Sequence, residues 1–167
     1  DRLLDLSLTP EQEMLVDTTR RFVRREFPDE IRENDRLQQY NPETFGKLAR
    51  LGLAGIWIPR RYGGGGMDYL ALGLVMEELE YVDGSIRTAA SVHSGLCSTG
   101  VFQWGTEEQK ERLLRPLAEG SKMGAFGLTE PDAGSDVAAM RSTARREGDA
   151  YVLNGEKAWV SFCDHAD

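Results

Sequence analysis

The most informative stretch of this sequence is Phe126-Gly-Leu-Thr-Glu-Pro-Asp-Ala-Gly-Ser135. A short apolar run leads to a hydroxyl at Thr129, then to a turn at Glu130-Pro131 and a loop of small residues. A second stretch, Tyr151-Val-Leu-Asn-Gly-Glu-Lys-Ala-Trp-Val-Ser161, places Asn-Gly between residues that favour strands. Asn-Gly in that setting predicts a hairpin.

The outgoing arm of this predicted hairpin carries an aromatic side chain and a hydroxyl. Side chains two residues apart share one face of a strand, so Trp159 and Ser161 are predicted to lie on the same face. An aromatic surface and small hydroxyls on rigid strands suit a planar, polar ring system. Taken singly, Thr129, Trp159 and Ser135 are better explained as a strand end, a core aromatic and a turn residue. Their joint order and spacing favour a binding site.

Composition excludes several classes of protein and site. A net charge of -8 and a pI near 4.9 argue against nucleic-acid binding, and no apolar window is long enough to span a membrane. Two cysteines and two histidines, far apart in sequence, have no metal-site spacing. We therefore expect free thiols in a reducing compartment, no metal site, and no catalytic role for these four residues, which are Cys97, Cys163, His93 and His165.

Helical patterns fill the region before Met123. Thr9-Pro-Glu-Gln12 and Thr106-Glu-Glu-Gln109 have the form of capping boxes. Further helices are predicted from Asn41-Pro42 to a C-terminal Gly52, over Tyr69–Tyr81, and from a cap at Ser85 to about Thr99, with Pro28 ending the first helix. The glycines at 63–66 lack the spacing of a phosphate-binding loop and predict a mobile connection.

At about Met123 the pattern changes from helix to strand. Strands are predicted over 124–129, 150–153 and 156–161. The chain is therefore expected to be multi-domain α+β, with an all-α domain over residues 1–122 and the start of a β domain over residues 123–167. A sheet of two or three strands is marginal alone, which suggests a fragment of a longer protein.

The two quoted stretches resemble the flavin-binding signature of the acyl-CoA dehydrogenase family, including Asp136 and Lys157. The resemblance covers essentially the whole chain. It implies a helical domain followed by the opening strands of a β-barrel domain, with a C-terminal helical bundle beyond Asp167. FAD is the implied cofactor. The implied cofactor-binding residues are Phe126, Gly127, Leu128, Thr129, Gly134, Ser135, Trp159, Val160 and Ser161.

The resemblance also implies what this chain does not supply. The family's catalytic base is a glutamate in the C-terminal part, so no residue here is predicted to be catalytic, and Glu130 is left out as a member of the motif turn. The fragment alone is expected to be inactive. The implied reaction is α,β-dehydrogenation of an acyl-CoA thioester, in which a carboxylate removes the α-proton and the flavin accepts a hydride.

A narrower resemblance concerns the substrate. Glu80-Tyr-Val-Asp-Gly-Ser-Ile-Arg-Thr88 resembles the glutaryl-CoA dehydrogenase branch, which implies that Arg87 and Thr88 contact the far end of the acyl group. Ser135 is implied to face the thioester's carrier. A substrate carboxylate in a pocket requires a cation, and arginine offers a bidentate fork. An equally weighted alternative is that Arg87 only pairs with Glu80 or Asp83 on a helix surface.

The family resemblance implies partners and a cellular setting as well. Expected partners are an acyl-CoA substrate and electron-transfer flavoprotein, with assembly as a homotetramer or dimer of dimers and a role in fatty acid or amino acid catabolism. The expected location is the bacterial cytoplasm or the mitochondrial matrix. Alternatives of the same fold are an acyl dehydrogenase acting on acyl carrier protein, an acyl-CoA oxidase and a flavin monooxygenase. A third class of function, besides the dehydrogenase and these alternatives of the same fold, is a helical binding module without enzymatic activity.

Overall fold

The computed structural model describes residues 7–167, except for the side chains of residues 28–30. The helices are α1 Pro10–Glu26, α2 Pro28–Leu37, α3 Glu43–Arg50, α4 Tyr69–Val82, α5 Gly84–Ala90, α6 Thr99–Trp104 and α7 Glu107–Ala118, and a π-helical segment, Ser91–Ser98, joins α5 to α6. The strands β1 Thr143–Glu147 and β2 Ala150–Asn154 form an antiparallel hairpin. This arrangement confirms the predicted class, helices first and a short sheet after them.

Side-chain caps determine where two of the helices begin. The Thr9 hydroxyl accepts a hydrogen bond from the Gln12 N–H at 3.2 Å, and the Gln12 side chain accepts from the Thr9 N–H at 3.0 Å. Thr106 and Gln109 repeat the arrangement at 3.2 and 2.8 Å. Each capping box satisfies backbone donors that have no partner inside the helix. Both predicted boxes are confirmed.

Other helix ends differ from the prediction. The Asp83 carboxylate, not Ser85, caps α5 by accepting from the N–H groups of Ser85 at 2.7 Å and Ile86 at 3.0 Å. The helical path then runs on to Trp104, past the predicted end. Pro28 begins α2 as well as following α1, because proline fits the first turn of a helix. Gly52 has φ +80 and ends α3 as predicted.

The main core lies between α1, α4 and the short segments that connect α3 to α4. Arg20 on α1 donates two hydrogen bonds to Glu78 on α4, at 2.9 and 2.6 Å. Within residues 7–167, no helix is long and apolar enough to cross a bilayer. The largest fully buried apolar side chains are Val23, Phe27, Leu48, Ile58, Tyr62, Val75, Leu79 and Leu114.

The glycines at 63–66 are packed against the preceding segment. The Gly65 N–H donates to the Gly55 carbonyl and the Gly66 N–H to the Ile58 carbonyl, each at 2.9 Å. A Cβ on Gly64 would lie 2.1 Å from the Ile58 oxygen, so only glycine permits this approach. The structure therefore differs from the predicted mobile connection: close backbone packing accounts for the glycines.

His93, in the π-helical segment, ties the helical region to the chain that leaves it. Its Nδ1 accepts from the Gly124 N–H at 2.9 Å, so the proton is on Nε2, which donates to the Leu117 carbonyl at 3.0 Å. The centroid of the Phe45 ring lies 4.6 Å from that of the His93 ring. Burial lowers the pKa of His93 to about 4, so the ring is neutral at pH 7.

The hairpin turns at Gly148-Asp149, so the predicted turn at Asn154-Gly155 is wrong. Pairing runs from Glu147↔Ala150 to Thr143↔Asn154, which leaves two residues in the loop. Gly148 has φ +61 at the first central position, as a type II′ turn requires. Gly155 instead marks the end of β2, where a Cβ would lie 2.1 Å from the Ser142 hydroxyl.

The strands predicted over 124–129 and 156–161 do not form. One backbone hydrogen bond joins the two segments, from the Ala158 N–H to the Thr129 carbonyl at 2.8 Å. Trp159, with φ +58, has a left-handed backbone rather than an extended one. A strand needs a ladder of such bonds, and among the described residues no strand pairs with either segment. The third predicted strand, 150–153, lies within β2.

We expect acid to destabilise the fold through His93. Its folded pKa, about 4, lies below the ordinary 6.5, so the unfolded chain binds a proton first as the pH falls. His93 contributes up to about 3 kcal/mol to the free energy of unfolding. This contribution is fully present above about pH 6.5 and is lost as the pH falls from about 6.5 to about 4. Urea unfolding at several pH values, for wild type and His93→Gln, measures this contribution.

The control is His165→Gln, which removes the other histidine and should keep the wild-type decline in stability. Equal declines for wild type and His93→Gln between pH 7 and pH 5 would show that His93 is not the group responsible.

Candidate functional site

The two stretches singled out in the sequence lie side by side. Besides the hydrogen bond between Ala158 and Thr129, the Lys157 ammonium donates to the Leu128 carbonyl at 2.9 Å. The carbonyl groups of Leu128 and Thr129 are therefore both held by the 157–158 segment. The structure thus joins two parts of the chain that are almost thirty residues apart in sequence.

The Glu130 carboxylate lies at the centre of this junction and is buried. It accepts hydrogen bonds from the Arg141 N–H at 2.6 Å, the Ser142 N–H at 3.0 Å and the Lys157 ammonium at 2.8 Å. These hydrogen bonds lower the pKa of Glu130 to about 2, with the largest effect from Lys157, followed by Ser142 and Arg141. The carboxylate is thus ionised and fully engaged, so a role as catalytic base is not supported.

Three donors of this segment are left free. Within residues 7–167, neither the backbone N–H groups of Leu128 and Thr129 nor the Thr129 hydroxyl has a hydrogen-bond partner. Phe126 and Leu128, in the same segment, are 38% and 39% exposed. Partly exposed apolar side chains beside free donors fit the polar edge of a flat ring system.

Trp159 and the residues after it form a turn. The Trp159 side chain is 92% exposed, and the Cys163 N–H donates to the Val160 carbonyl at 3.4 Å. The prediction that Trp159 and Ser161 share a strand face is wrong, because the left-handed backbone at Trp159 interrupts the alternation of side chains. An exposed indole beside free donors remains available to cover a planar ligand.

Gly134 and Ser135 lie beyond the motif turn, which closes by paired backbone hydrogen bonds between Glu130 and Ala133 at 3.0 and 3.1 Å. Both are exposed. Of the bonds recorded within residues 7–167, none joins them to residues 157–161. Their predicted contacts with a cofactor or substrate carrier stay predictions.

Arg87 lies on α5, away from these hydrogen bonds. Its Nε donates to Glu80 at 2.5 Å, and its Nη1 lies 3.5 Å from the Ser91 hydroxyl. The predicted pairing with Glu80 is therefore present, whereas Asp83 caps the helix. The Thr88 hydroxyl donates to the Gly84 carbonyl at 2.7 Å, so its hydrogen is used within the helix.

Two features of these sites were not predicted. Ser91 joins Arg87 because residues four apart share a helix face, a spacing that was visible in the sequence. The carboxylate of Glu130 and the ammonium of Lys157 come together across a turn and a hairpin. No local sequence pattern predicts such a contact.

Comparison with known proteins identifies relatives over the whole length. The family model described as acyl-CoA dehydrogenase, N-terminal domain, matches residues 9–121, and the middle-domain model matches residues 125–167. The short-chain specific acyl-CoA dehydrogenase of Clostridium acetobutylicum is 40% identical over 98% of this chain and 43% of its own length. Mitochondrial isovaleryl-CoA dehydrogenase of Bos taurus is 38% identical over 96% of this chain and 38% of its own.

A solved structure has the same fold. Glutaryl-CoA dehydrogenase of Mycobacterium smegmatis in complex with FADH2 gives a TM-score of 0.91 at 34% identity, over 96% of this chain and 41% of that one. The chain spans about two fifths of the length of the relatives it matches.

Gly155 tests whether the junction around Glu130 depends on close backbone packing. Because a Cβ there would overlap Ser142, Gly155→Ala should displace Ser142 and weaken its hydrogen bond to Glu130. We expect a loss of about 1–3 kcal/mol in the free energy of unfolding, as for other overpacked sites. Gly134→Ala is the matched control for stability, since a Cβ there meets no atom within 4 Å. Equal stability of the two variants would contradict this account.

Proposed function

The chain belongs to the acyl-CoA dehydrogenase family, and on that basis we propose that it is part of an FAD-dependent enzyme that forms an α,β double bond in an acyl-CoA thioester. The observation that carries the proposal is the joining of the 126–130 and 157–161 segments with the donors of Leu128 and Thr129 left free. The FADH2 complex of a relative supports the choice of cofactor.

Residues of this chain would bind and orient the cofactor. The N–H groups of Leu128 and Thr129, with the Thr129 hydroxyl, would donate to the polar edge of the isoalloxazine. FAD supplies the hydride acceptor when bound. The exposed Trp159 indole would cover the ring and exclude water, and Ser161 would lie near the reacting face. Ser135 would face the carrier of the thioester. The predicted division into domains at 122–123 remains part of this proposal.

For the substrate, we propose an acyl group that ends in a carboxylate, such as glutaryl-CoA. Arg87 uses Nε to hold Glu80, which leaves N–H groups of its guanidinium for a second anion. The Ser91 hydroxyl accepts from Arg87 Nη1 and donates to the Thr88 carbonyl at 3.1 Å, so it supports the guanidinium and has no hydrogen left for the anion. The glutaryl-CoA dehydrogenase relative supports this assignment, whereas the short-chain and isovaleryl-CoA relatives act on monocarboxylic acyl groups by name.

The same membership supports the wider setting. We propose electron-transfer flavoprotein as the electron acceptor, a homotetramer as the assembly, and the bacterial cytoplasm or mitochondrial matrix as the location. The relatives described above are named as dehydrogenases, so they do not favour the oxygen-using or carrier-protein alternatives.

The first test is cofactor binding by the full-length protein. We expect the wild type to bind FAD, and Thr129→Ala with Trp159→Ala to weaken binding, because one donor and the ring cover are removed. Loss of one hydrogen bond and one aromatic contact should cost about tenfold or more. Titration of apoprotein, followed by flavin absorbance and fluorescence, measures the dissociation constant. Wild-type protein that is colourless after incubation with FAD and removal of the unbound flavin, and that causes no change in flavin fluorescence, would refute the proposal.

The second test concerns Arg87. Arg87→Met should lower kcat/KM for glutaryl-CoA by about two to four orders of magnitude, because a substrate carboxylate would be left beside Glu80 without a cation. Butyryl-CoA, which has no second carboxylate, should be affected far less.

Arg36→Met is the matched control, since Arg36 also pairs with a glutamate, Glu33, and its side chain is 67% exposed against 37% for Arg87. It should leave both rates within about twofold of wild type. If Arg87→Met changes the two substrates equally, Arg87 is only a helix-surface residue, and the more general acyl-CoA dehydrogenase proposal remains.

A further inference from the structure

Lys157 makes three contacts that converge on one ammonium group. Its Nζ lies 2.9 Å from the Leu128 carbonyl oxygen, 2.8 Å from Glu130 Oε1 and 3.4 Å from the Met140 sulfur. The Lys157 side chain is 30% exposed and that of Glu130 only 7%. A largely shielded ion pair in which the cation also bonds a backbone carbonyl is a costly arrangement unless every group is satisfied.

Glu130 is held in turn by the start of the hairpin. The backbone N–H groups of Arg141 and Ser142 fix its two oxygen atoms, so the carboxylate cannot move with Lys157. Lys157 is therefore anchored at one end by its own backbone and at the other by a carboxylate that the hairpin immobilises. The ammonium is a fixed point against which Leu128 is placed.

The Leu128 peptide groups gain their orientation from this fixed point. The Leu128 carbonyl and the Thr129 N–H belong to the same planar peptide group. The hydrogen bond from Lys157 to that carbonyl therefore fixes the plane of both. Because that peptide is planar and trans, holding its oxygen towards Lys157 directs its N–H to the opposite side. That N–H is one of the donors without a partner within the described residues.

We propose that Lys157, anchored by Glu130, is a positioning residue that orients the Thr129 amide towards the flavin. The inference rests on the proposed function, since it assigns a task to a pair of residues within the proposed cofactor site. Lys157 itself bonds the far side of the peptide and touches neither cofactor nor substrate.

The test compares FAD binding by three full-length variants. Lys157→Met keeps the length of the side chain but cannot donate, and we expect FAD to bind about 10- to 100-fold more weakly, as for the loss of a charge-assisted hydrogen bond. Lys157→Arg keeps both charge and donors and should bind FAD within about threefold of wild type. Lys122→Met is the control, because Lys122 forms an exposed pair with Asp167 at 3.0 Å.

Binding is measured by titrating each apoprotein with FAD, together with the visible spectrum of the bound flavin and the unfolding temperature of the apoprotein. The proposal predicts a shifted flavin band in Lys157→Met and a wild-type band in Lys157→Arg and Lys122→Met. Should Lys157→Met not fold, Glu130→Gln, which weakens the anchor but keeps an acceptor, is expected to shift the band in the same way.

Two outcomes would overturn the inference. One is wild-type affinity and spectrum in Lys157→Met. The other is equal loss in Lys157→Arg and Lys157→Met, which would show that the position tolerates only lysine for packing reasons. If the wild-type protein itself fails to bind FAD, the proposed function fails instead, so the two failures are distinguishable.

Discussion

The C-terminal part of the chain depends on the hydrogen bonds that hold the ionised carboxylate of Glu130. A buried anion is stable only when hydrogen-bond donors surround it, and here two backbone amides and one ammonium do so. These donors come from the start of β1 and from the segment after β2. The carboxylate therefore brings together the motif turn, the hairpin and the second motif stretch, although regular sheet pairing within residues 7–167 joins only β1 to β2.

The helical region is connected to this junction through His93. A neutral imidazole that accepts from Gly124 and donates to Leu117 fixes the chain just before residue 126, where the proposed flavin edge begins. The π-helical segment that carries His93 begins at Ser91 and directly follows the helix of Arg87. One continuous helical path thus carries both Arg87, at the proposed end of the acyl pocket, and His93, which binds the chain just before the proposed flavin segment. The two proposed sites are therefore connected through the same helices.

The sequence predicted features that local chemistry determines. The boxes at Thr9 and Thr106 and the glycine end of α3 depend on contacts within a few residues, and all three are confirmed. The hairpin turn was misplaced because Asn154-Gly155 and Gly148-Asp149 carry similar signals, and only the pairing of β1 with β2 separates them. The two motif stretches lie side by side in the structure, whereas the roles predicted for their residues stay predictions. The strand predicted at Trp159 depended on partner strands that no pattern within these residues supplies. Contacts such as Lys157 with Glu130 join residues 27 apart in sequence and were not predictable from spacing.

Amide hydrogen exchange can show whether the Leu128 and Thr129 amides are oriented donors for the flavin. Exchange would be followed by NMR for the full-length protein without and with saturating FAD. The account predicts fast exchange at Leu128 and Thr129 without FAD and strong protection with it. The Ala158 amide, already bonded to the Thr129 carbonyl, should be protected in both states. If FAD binds and the Leu128 and Thr129 amides exchange as fast as before, the flavin lies elsewhere and the account is contradicted.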